Sequence, residues 1–93
     1  MKREKVNELR LVKKTKEKGG KILKFTAPGE RGYPDRIILL PGARVVWVEL
    51  KKTGEKPEPL QLKRHRELRA LGFEVYVSDS ADAVDLIIEE VFG

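Results

Sequence analysis

Apolar and polar positions follow two rhythms along this chain, and the changes between them mark the elements. Residues 2–18 carry Val6, Leu9, Leu11 and Val12 as an imperfect helical stripe among good helix formers, and Gly19-Gly20 ends it. Ile22, Leu23 and Phe25 then suggest a short strand, closed by Ala27-Pro28-Gly29. Residues 28–34 hold Gly29, Gly32 and two prolines, the composition of a loop. Two apolar strands follow, over 35–40 and 43–51, and the Pro41-Gly42 turn between them predicts an antiparallel hairpin. Beyond the polar stretch 52–57, Pro59 suits the first turn of a helix and Gly72 its end, so that helix covers 59–71. Residues 73–78 alternate as a strand does, and Ser80 or Asp79 caps a last helix containing Ala83, Val84, Leu86, Ile87, Ile88 and Val91. The order α-β-β-β-α-β-α predicts an α/β fold, a central mixed sheet flanked by helices. The 93 residues make a single domain, 1–93.

Composition narrows the chemistry. Without cysteine there is neither a disulfide framework nor a thiolate metal site. No apolar run approaches the roughly 18 residues of a membrane span, and the lysine-rich start lacks the apolar stretch of a signal peptide. A soluble cytoplasmic protein with no membrane partner is the expectation. The net charge of +5 is unevenly spread: residues 1–24 hold ten Lys or Arg against three Glu, whereas 74–93 hold six acidic side chains and no basic one. A basic region of this kind suits phosphate, and an acidic end suits solvent or a partner protein.

The informative segment runs from Gly32-Tyr33-Pro34-Asp35-Arg36 through the hairpin to Val48-Glu49-Leu50-Lys51. Side chains alternate along a strand, so Glu49 and Lys51 share one face while Leu50 enters the core on the other. Pairing about Pro41-Gly42 sets residues summing to roughly 83 or 84 opposite each other. It places Asp35 against the strand of Glu49 after an allowance for twist or a bulge, and the register stays open. Two carboxylates a few ångströms apart repel each other unless a cation lies between them. All-oxygen ligation suits Mg²⁺, with Mn²⁺ as a substitute, better than zinc. A lysine beside such a cation can position or deprotonate a water or stabilise developing negative charge, which completes a set for phosphodiester hydrolysis. A bare E-x-K is usually a surface pair on an exposed strand; the Pro-Asp loop, the Gly turn and the two apolar strands make this combination far rarer.

The string PGERGYPDRIILLPGARVVWVELKKTGEKPEPLQLKRHRELRALGFEVYVSDS closely resembles the VRR-NUC (virus-type replication-repair nuclease) family of the PD-(D/E)xK nuclease superfamily, whose domain is restriction-endonuclease-like. The resemblance spans nearly the whole chain, from the first helix to the last strand. It implies that Asp35 and Glu49 ligate a metal, that the Leu50 carbonyl completes the shell and that Lys51 is the catalytic lysine. Many nucleases of this superfamily carry a helical glutamate near the metal, often through water; Glu8, one turn from Glu4, has the matching spacing to Gly19. The family pattern also places a glutamine at Gln61, which could orient Lys51 or a phosphate, although histidine stands at 65 where related exonucleases have tyrosine. Small stand-alone members look phage- or bacterium-derived and are similar to junction-resolving enzymes, which implies branched DNA, four-way (Holliday) junctions included, as substrate, and DNA repair as the setting.

Around this centre, Lys24, Arg31, Arg36, Lys52, Lys63, Arg64, Arg66 and His65 are expected phosphate contacts, and Tyr33 is a stacking or wedge candidate. Trp47 shares the face of Glu49; core packing is its expected role. The leading expectation is a divalent-metal-dependent DNA endonuclease. Cleavage of flap, nicked or unstructured DNA, an inactive DNA-binding module of the same fold, and an interaction protein docking through the acidic last helix are the alternatives. Leu86, Ile87, Ile88, Val91 and Phe92 exceed what one core stripe can bury, which predicts a two-fold homodimer.

Overall fold

The structure, a computed structural model, describes residues 3–93, so Lys2 at the start of the expected first helix lies outside the described residues. Helix α1 spans Arg3–Glu17, strand β1 Lys21–Lys24, β2 Arg36–Leu40, β3 Arg44–Leu50, helix α2 Pro59–Ala70, β4 Glu74–Ser78 and α3 Ala81–Phe92. The expected order holds, and so does the mixed sheet. Strands β1, β2 and β3 pair antiparallel in sequence order, and β4 joins β3 in parallel after the α2 crossover.

Two-residue alternation along β3 builds a core on each side of the sheet. Val46, Val48 and Leu50 join Ile38 of β2 against Leu11 of α1 and Val84, Ile87, Ile88 and Val91 of α3. On the opposite face Trp47 packs with Val75 of β4 and Leu68 of α2, and Phe25, Tyr33 and Ile37 lean on them. The sheet is thus sandwiched between α1 with α3 and α2. Burial in a second aromatic core is the role Trp47 takes, its ring edge-on to Phe25 at 4.8 Å.

The β2–β3 ladder is regular from Arg36 opposite Val48 to Leu40 opposite Arg44, with partners summing to 84. No bulge intervenes between these pairs. Asp35 stands just before the first of them, and its carboxylate accepts from the N–H of Leu50, the neighbour of Glu49, at 3.2 Å.

Ion pairs fasten the ends of the sandwich. Arg10 of α1 reaches Asp85 of α3 through two hydrogen bonds of 2.8 Å, with Lys14 at 3.1 Å, and they hold the Asp85 carboxyl down to about 2. Arg44 of β3 forks onto Glu74 of β4 and donates to the Val91 carbonyl of α3 at 2.6 Å. Ser80 is the cap of α3, its hydroxyl accepting from the Ala83 N–H at 3.1 Å; Asp79, the other candidate, accepts from the Gly54 N–H instead.

Helix α3 buries more of its apolar surface than its sequence suggests. Val84, Ile87, Ile88 and Val91 are all in the core, and Phe92 folds back over it, where a side chain at Gly20 would stand 2.8 Å from the Phe92 ring. Leu86 alone of that set stays open, 62% exposed. The excess apolar surface from which the sequence predicts a dimer is largely absent from α3.

The turn joining β2 to β3 has one strained position. Gly42 has φ +81° and Ala43 follows with φ +61°, the one non-glycine residue with positive φ among the described residues. A side chain there costs about 1 kcal/mol. Ala43→Gly should therefore raise the urea midpoint slightly, stabilising the fold by up to roughly 0.5 kcal/mol after its entropy cost; a lower midpoint would show that the turn is relaxed as it stands.

Candidate active site

The first acidic group arrives on a loop that only glycine permits. Residues 28–34 cross the start of α2, and at Gly32, with φ +91°, a Cβ would stand 2.9 Å from the Leu60 side chain and 3.0 Å from its carbonyl oxygen. Tyr33 follows, stacked under the Arg64 guanidinium at 5.0 Å and edge-on to Phe25. Pro34 is buried, and Asp35 emerges one residue before β2. Its backbone carbonyl continues the ladder by accepting from the Phe25 N–H at 2.9 Å, and its carboxylate accepts from the Leu50 N–H at 3.2 Å.

Glu49 lies across from it near the end of β3, only 4% exposed. Helix α2 supplies both of its side-chain partners. The Gln61 amide donates to Oε2 at 2.7 Å, and Nε2 of His65 stands 3.0 Å from Oε1. Gln61 is itself fixed, because its amide oxygen accepts from the Glu58 N–H at 2.8 Å at the start of the helix. The His65 contact needs one proton, on the ring when Glu49 is ionised and on the carboxyl when it is not. Lys51 stands on the same side, two residues on, its N–H donating to the Ser78 carbonyl at 2.8 Å in the parallel ladder with β4.

These surroundings raise the proton affinity of both carboxyls. Burial pushes Glu49 up to about 7, the nearby Asp35 charge adds to this, and Lys51 opposes it. Asp35 is raised as well, by burial first, against the pull of the Leu50 N–H and of Arg36; Glu4 pushes in the same direction as burial. Burial, with the positive charges of Arg69 and Lys51, lowers the affinity of His65 for a proton. Two carboxyls that both resist ionisation, one facing the other, form a pair that a cation would relieve.

The donor set fits a hard divalent ion. Asp35 and Glu49 supply carboxylate oxygens, and Mg²⁺ takes one or two such groups, leaving its other positions to water and substrate phosphate. Among the described residues no three His, Asp or Glu side chains converge into a ready cage, so water and substrate would have to complete the shell of an ion held by these two carboxylates.

The wider sequence expectations divide. Gln61 and His65 do share a face of α2, but the face turns onto Glu49. His65 is 1% exposed, so it is a partner of Glu49 and not a surface phosphate contact. Arg36 is likewise withdrawn: it is buried and meets Glu8 at 2.8 Å. Glu8 takes Lys5 at 3.4 Å and Lys24 at 3.9 Å as well, and these positive neighbours outweigh its burial and lower its proton affinity. Glu8 thus serves an ion-pair cluster with Arg36, and Glu4 is the helical glutamate whose charge bears on Asp35. Arg64 is tied to the Arg31 carbonyl at 2.8 Å, to Glu67 at 3.0 Å and to Tyr33. Lys24, Arg31, Lys52, Lys63 and Arg66 remain on the surface. Glu58, which adds negative charge near Glu49, carries no distinguishing motif in the sequence.

A Pro-Asp loop feeding one strand, E-x-K on the next, and helices on both faces of a mixed sheet define a PD-(D/E)xK nuclease fold. No family model matches the chain. It is 45% identical over 80 residues to the protein named "Putative nuclease p44" of Acyrthosiphon pisum secondary endosymbiont phage 1, covering 86% of each. A solved structure described as a VRR_NUC domain superposes with a TM-score of 0.89 at 31% identity, over 96% of this chain and 97% of its own. Another, described as a VRR_NUC domain protein, gives 0.74 at 25% identity, over 96% and 86%. The chain belongs to the VRR-NUC family, and it is a nuclease.

The two helical glutamates should separate by readout. Glu8→Gln leaves the buried Arg36 without its closest anionic partner and should lower thermal stability, by about 2 kcal/mol or more. Glu4→Gln should leave stability within about 0.5 kcal/mol, as an ordinary partly exposed position does, and lower cleavage instead. Thermal melts and initial rates on the two proteins check this; a stable Glu8→Gln protein that has lost cleavage would restore Glu8 to the metal side.

Proposed function

We propose that this nuclease is a divalent-metal-dependent endonuclease that hydrolyses phosphodiester bonds in branched DNA, four-way junctions included. The observation that carries the reading is the nearness of Asp35, which accepts from the Leu50 N–H, to Glu49, both carboxyls reluctant to ionise and Lys51 two residues beyond Glu49. Asp35 and Glu49 would hold Mg²⁺ or Mn²⁺, with the Leu50 carbonyl as a further oxygen and Glu4 acting from α1 through water. When bound, the ion supplies polarisation of a phosphoryl oxygen and acidification of the attacking water.

The chain's own residues do the rest. Gln61 and His65 fix both oxygens of Glu49, so the carboxylate presents one orientation to a ligand. Lys51 carries a positive charge next to that carboxylate, where it can orient the attacking water and stabilise charge building on the phosphate. Burial of Glu49 and the aromatic packing of Trp47, Phe25 and Tyr33 keep bulk water from one wall of the site, which strengthens these electrostatic contacts. Lys24, Arg31, Lys52, Lys63 and Arg66 offer exposed positive charge for flanking phosphates.

No helix among the described residues is long and apolar enough to cross a membrane, and the cytoplasm of a bacterial or phage-infected cell is the proposed place of action. A two-fold pair of chains is part of the proposal on the ground of substrate symmetry, because a junction offers two related strands to cut. Light scattering on the protein bound to a four-way junction reads that stoichiometry directly.

The test is a cleavage panel of linear, flapped, nicked and four-way DNA, with Mg²⁺ and with chelator. Cleavage should need the metal and favour the four-way substrate. Asp35→Asn, Glu49→Gln and Lys51→Ala should each reduce the rate by 10²-fold or more, the order expected for removing a group that acts on the transition state, while affinity for DNA survives. Undiminished cleavage by Glu49→Gln in Mg²⁺ would falsify the assignment, and preference for linear DNA would remove the junction.

A further inference from the structure

A cleft of about 200 Å³ opens between α1 and the edge strand β1, lined by Glu8, Val12 and Lys16 of the helix, Leu23 and Lys24 of β1, and Arg36 of β2. One end of it touches the carboxylate site. Lys24 pairs with Arg36 in the ladder, and the N–H of the next residue, Phe25, donates to the Asp35 carbonyl at 2.9 Å. The Arg36 guanidinium donates to that same carbonyl at 2.9 Å. From there the cleft leads away from the chemistry. Glu4 is felt at Asp35 and Glu8 meets Arg36, whereas Lys16 lies two turns beyond Glu8, about 12 Å along the helix.

Three of the lining side chains are positive and one is negative. The negative one is already neutralised: Glu8 has Arg36 at 2.8 Å, Lys5 at 3.4 Å and Lys24 at 3.9 Å. Arg36 is buried on the floor and committed to Glu8, so it supplies field and no contact of its own. Lys24 has 71% of its side chain exposed, and Lys16 is exposed too. Glu8 is the one carboxylate in the lining, so the far end of the cleft is positive with no anion beside it there. Between the two lysines, Val12 and the exposed Leu23 offer apolar walls. Positive points separated by an apolar stretch match the alternation of phosphate and sugar along a nucleic acid backbone.

We propose that this cleft holds the backbone of a DNA strand leading away from the scissile phosphate, with Lys24 and Lys16 on separate phosphates and Val12 and Leu23 against the sugar between them. The inference rests on the nuclease reading and deepens it. Asp35 and Glu49 lie where β2 begins and β3 ends, whereas the cleft runs down the flank of the sheet beside its edge strand. A strand that occupies both has to turn. Stacked duplex resists such a turn, while at a branch point the strands already part. The cleft therefore selects branched substrate: linear duplex fills the carboxylate site and leaves the flank unused.

Lys16→Ala tests this, because a surface helix position tolerates the change. Lys13→Ala is the control: Lys13 stands on the same helix, 79% exposed and 4.0 Å from Glu17, and does not line the cleft. Affinity for four-way and for linear DNA is measured without divalent metal over a range of salt concentrations. Lys16→Ala should bind four-way DNA about threefold or more weakly, the share of one phosphate contact. The slope of log affinity against log salt should fall by about 0.9, one counterion-releasing contact fewer. Binding of linear duplex should stay at the wild-type value. Lys13→Ala should change neither substrate. Leu23→Glu, which sets a carboxylate in the wall, should weaken four-way binding further than Lys16→Ala does.

Neutral methylphosphonates placed one at a time along the strand should reveal one position to which the wild type is sensitive and Lys16→Ala is not. Inorganic phosphate alone, followed by NMR at Lys16 and Lys24, should bind only weakly; saturation at micromolar levels would give the cleft to a small anion instead. Lys16→Ala indistinguishable from Lys13→Ala, an equal loss on linear and four-way DNA, or no position of lost sensitivity would overturn the strand path and leave the nuclease reading standing. Absence of metal-dependent cleavage by the wild type would remove the nuclease reading, whatever the variants do to affinity.

Discussion

Two carboxyl groups on neighbouring strands, both withdrawn from water and facing each other, are the constraint around which this molecule is arranged. Glu49 is nearly buried and held near 7 by desolvation first and by the Asp35 charge second. Its proton affinity in the folded chain is raised above the ordinary value of 4.5. The native state therefore binds that proton more tightly than the unfolded chain does. The resulting stabilisation is complete below about 4.5 and is lost as pH rises through about 7. In the absence of a cation, the fold is strained in the very range where phosphodiester hydrolysis needs an ionised carboxylate. A ligand that prefers the ionised pair removes that strain, which is how a small domain couples metal affinity to its own stability.

The rest of the fold makes this unfavourable juxtaposition durable. The regular hairpin register pairs Arg36 with Val48 without a bulge, and the Leu50 N–H then holds the Asp35 carboxylate beside Glu49. Burial of Val46, Val48 and Leu50 on the other face holds β3 in place, and a slip of one residue would drive Glu49 into that apolar core. Helix α2 then covers the charged face with the two groups, Gln61 and His65, that can satisfy Glu49. Positive charge inside the domain is treated the same way: Arg36, buried beside Asp35, is compensated from α1 by Glu8.

Much of this was legible in the sequence. Two-residue alternation, glycine stops and the Pro41-Gly42 turn were enough for all seven elements, and the shared face of Glu49 and Lys51 followed from strand periodicity, whereas the register that brings Asp35 to them stayed open and their grouping came from the family resemblance. The sequence was less informative where the outcome depended on which of two equivalent groups meets a distant partner. Glu4 and Glu8 share a helix face and a basic neighbourhood; only the tertiary approach of Arg36 claims one of them. His65 and Gln61 were placed on one face correctly, but a lone histidine carries no sign of whether its face is wet or buried. The apolar count on α3 misled because the return of Phe92 over Gly20 is a packing event with no local signal.

The most direct measurement is a pH titration of the Glu49 side-chain carboxyl by carbon NMR on the metal-free protein, repeated with Mg²⁺ present. The account predicts a midpoint near 7 without metal, moving to lower pH as the ion binds and favours the ionised form. A metal-free midpoint in the ordinary carboxylate range, unmoved by Mg²⁺, would contradict it.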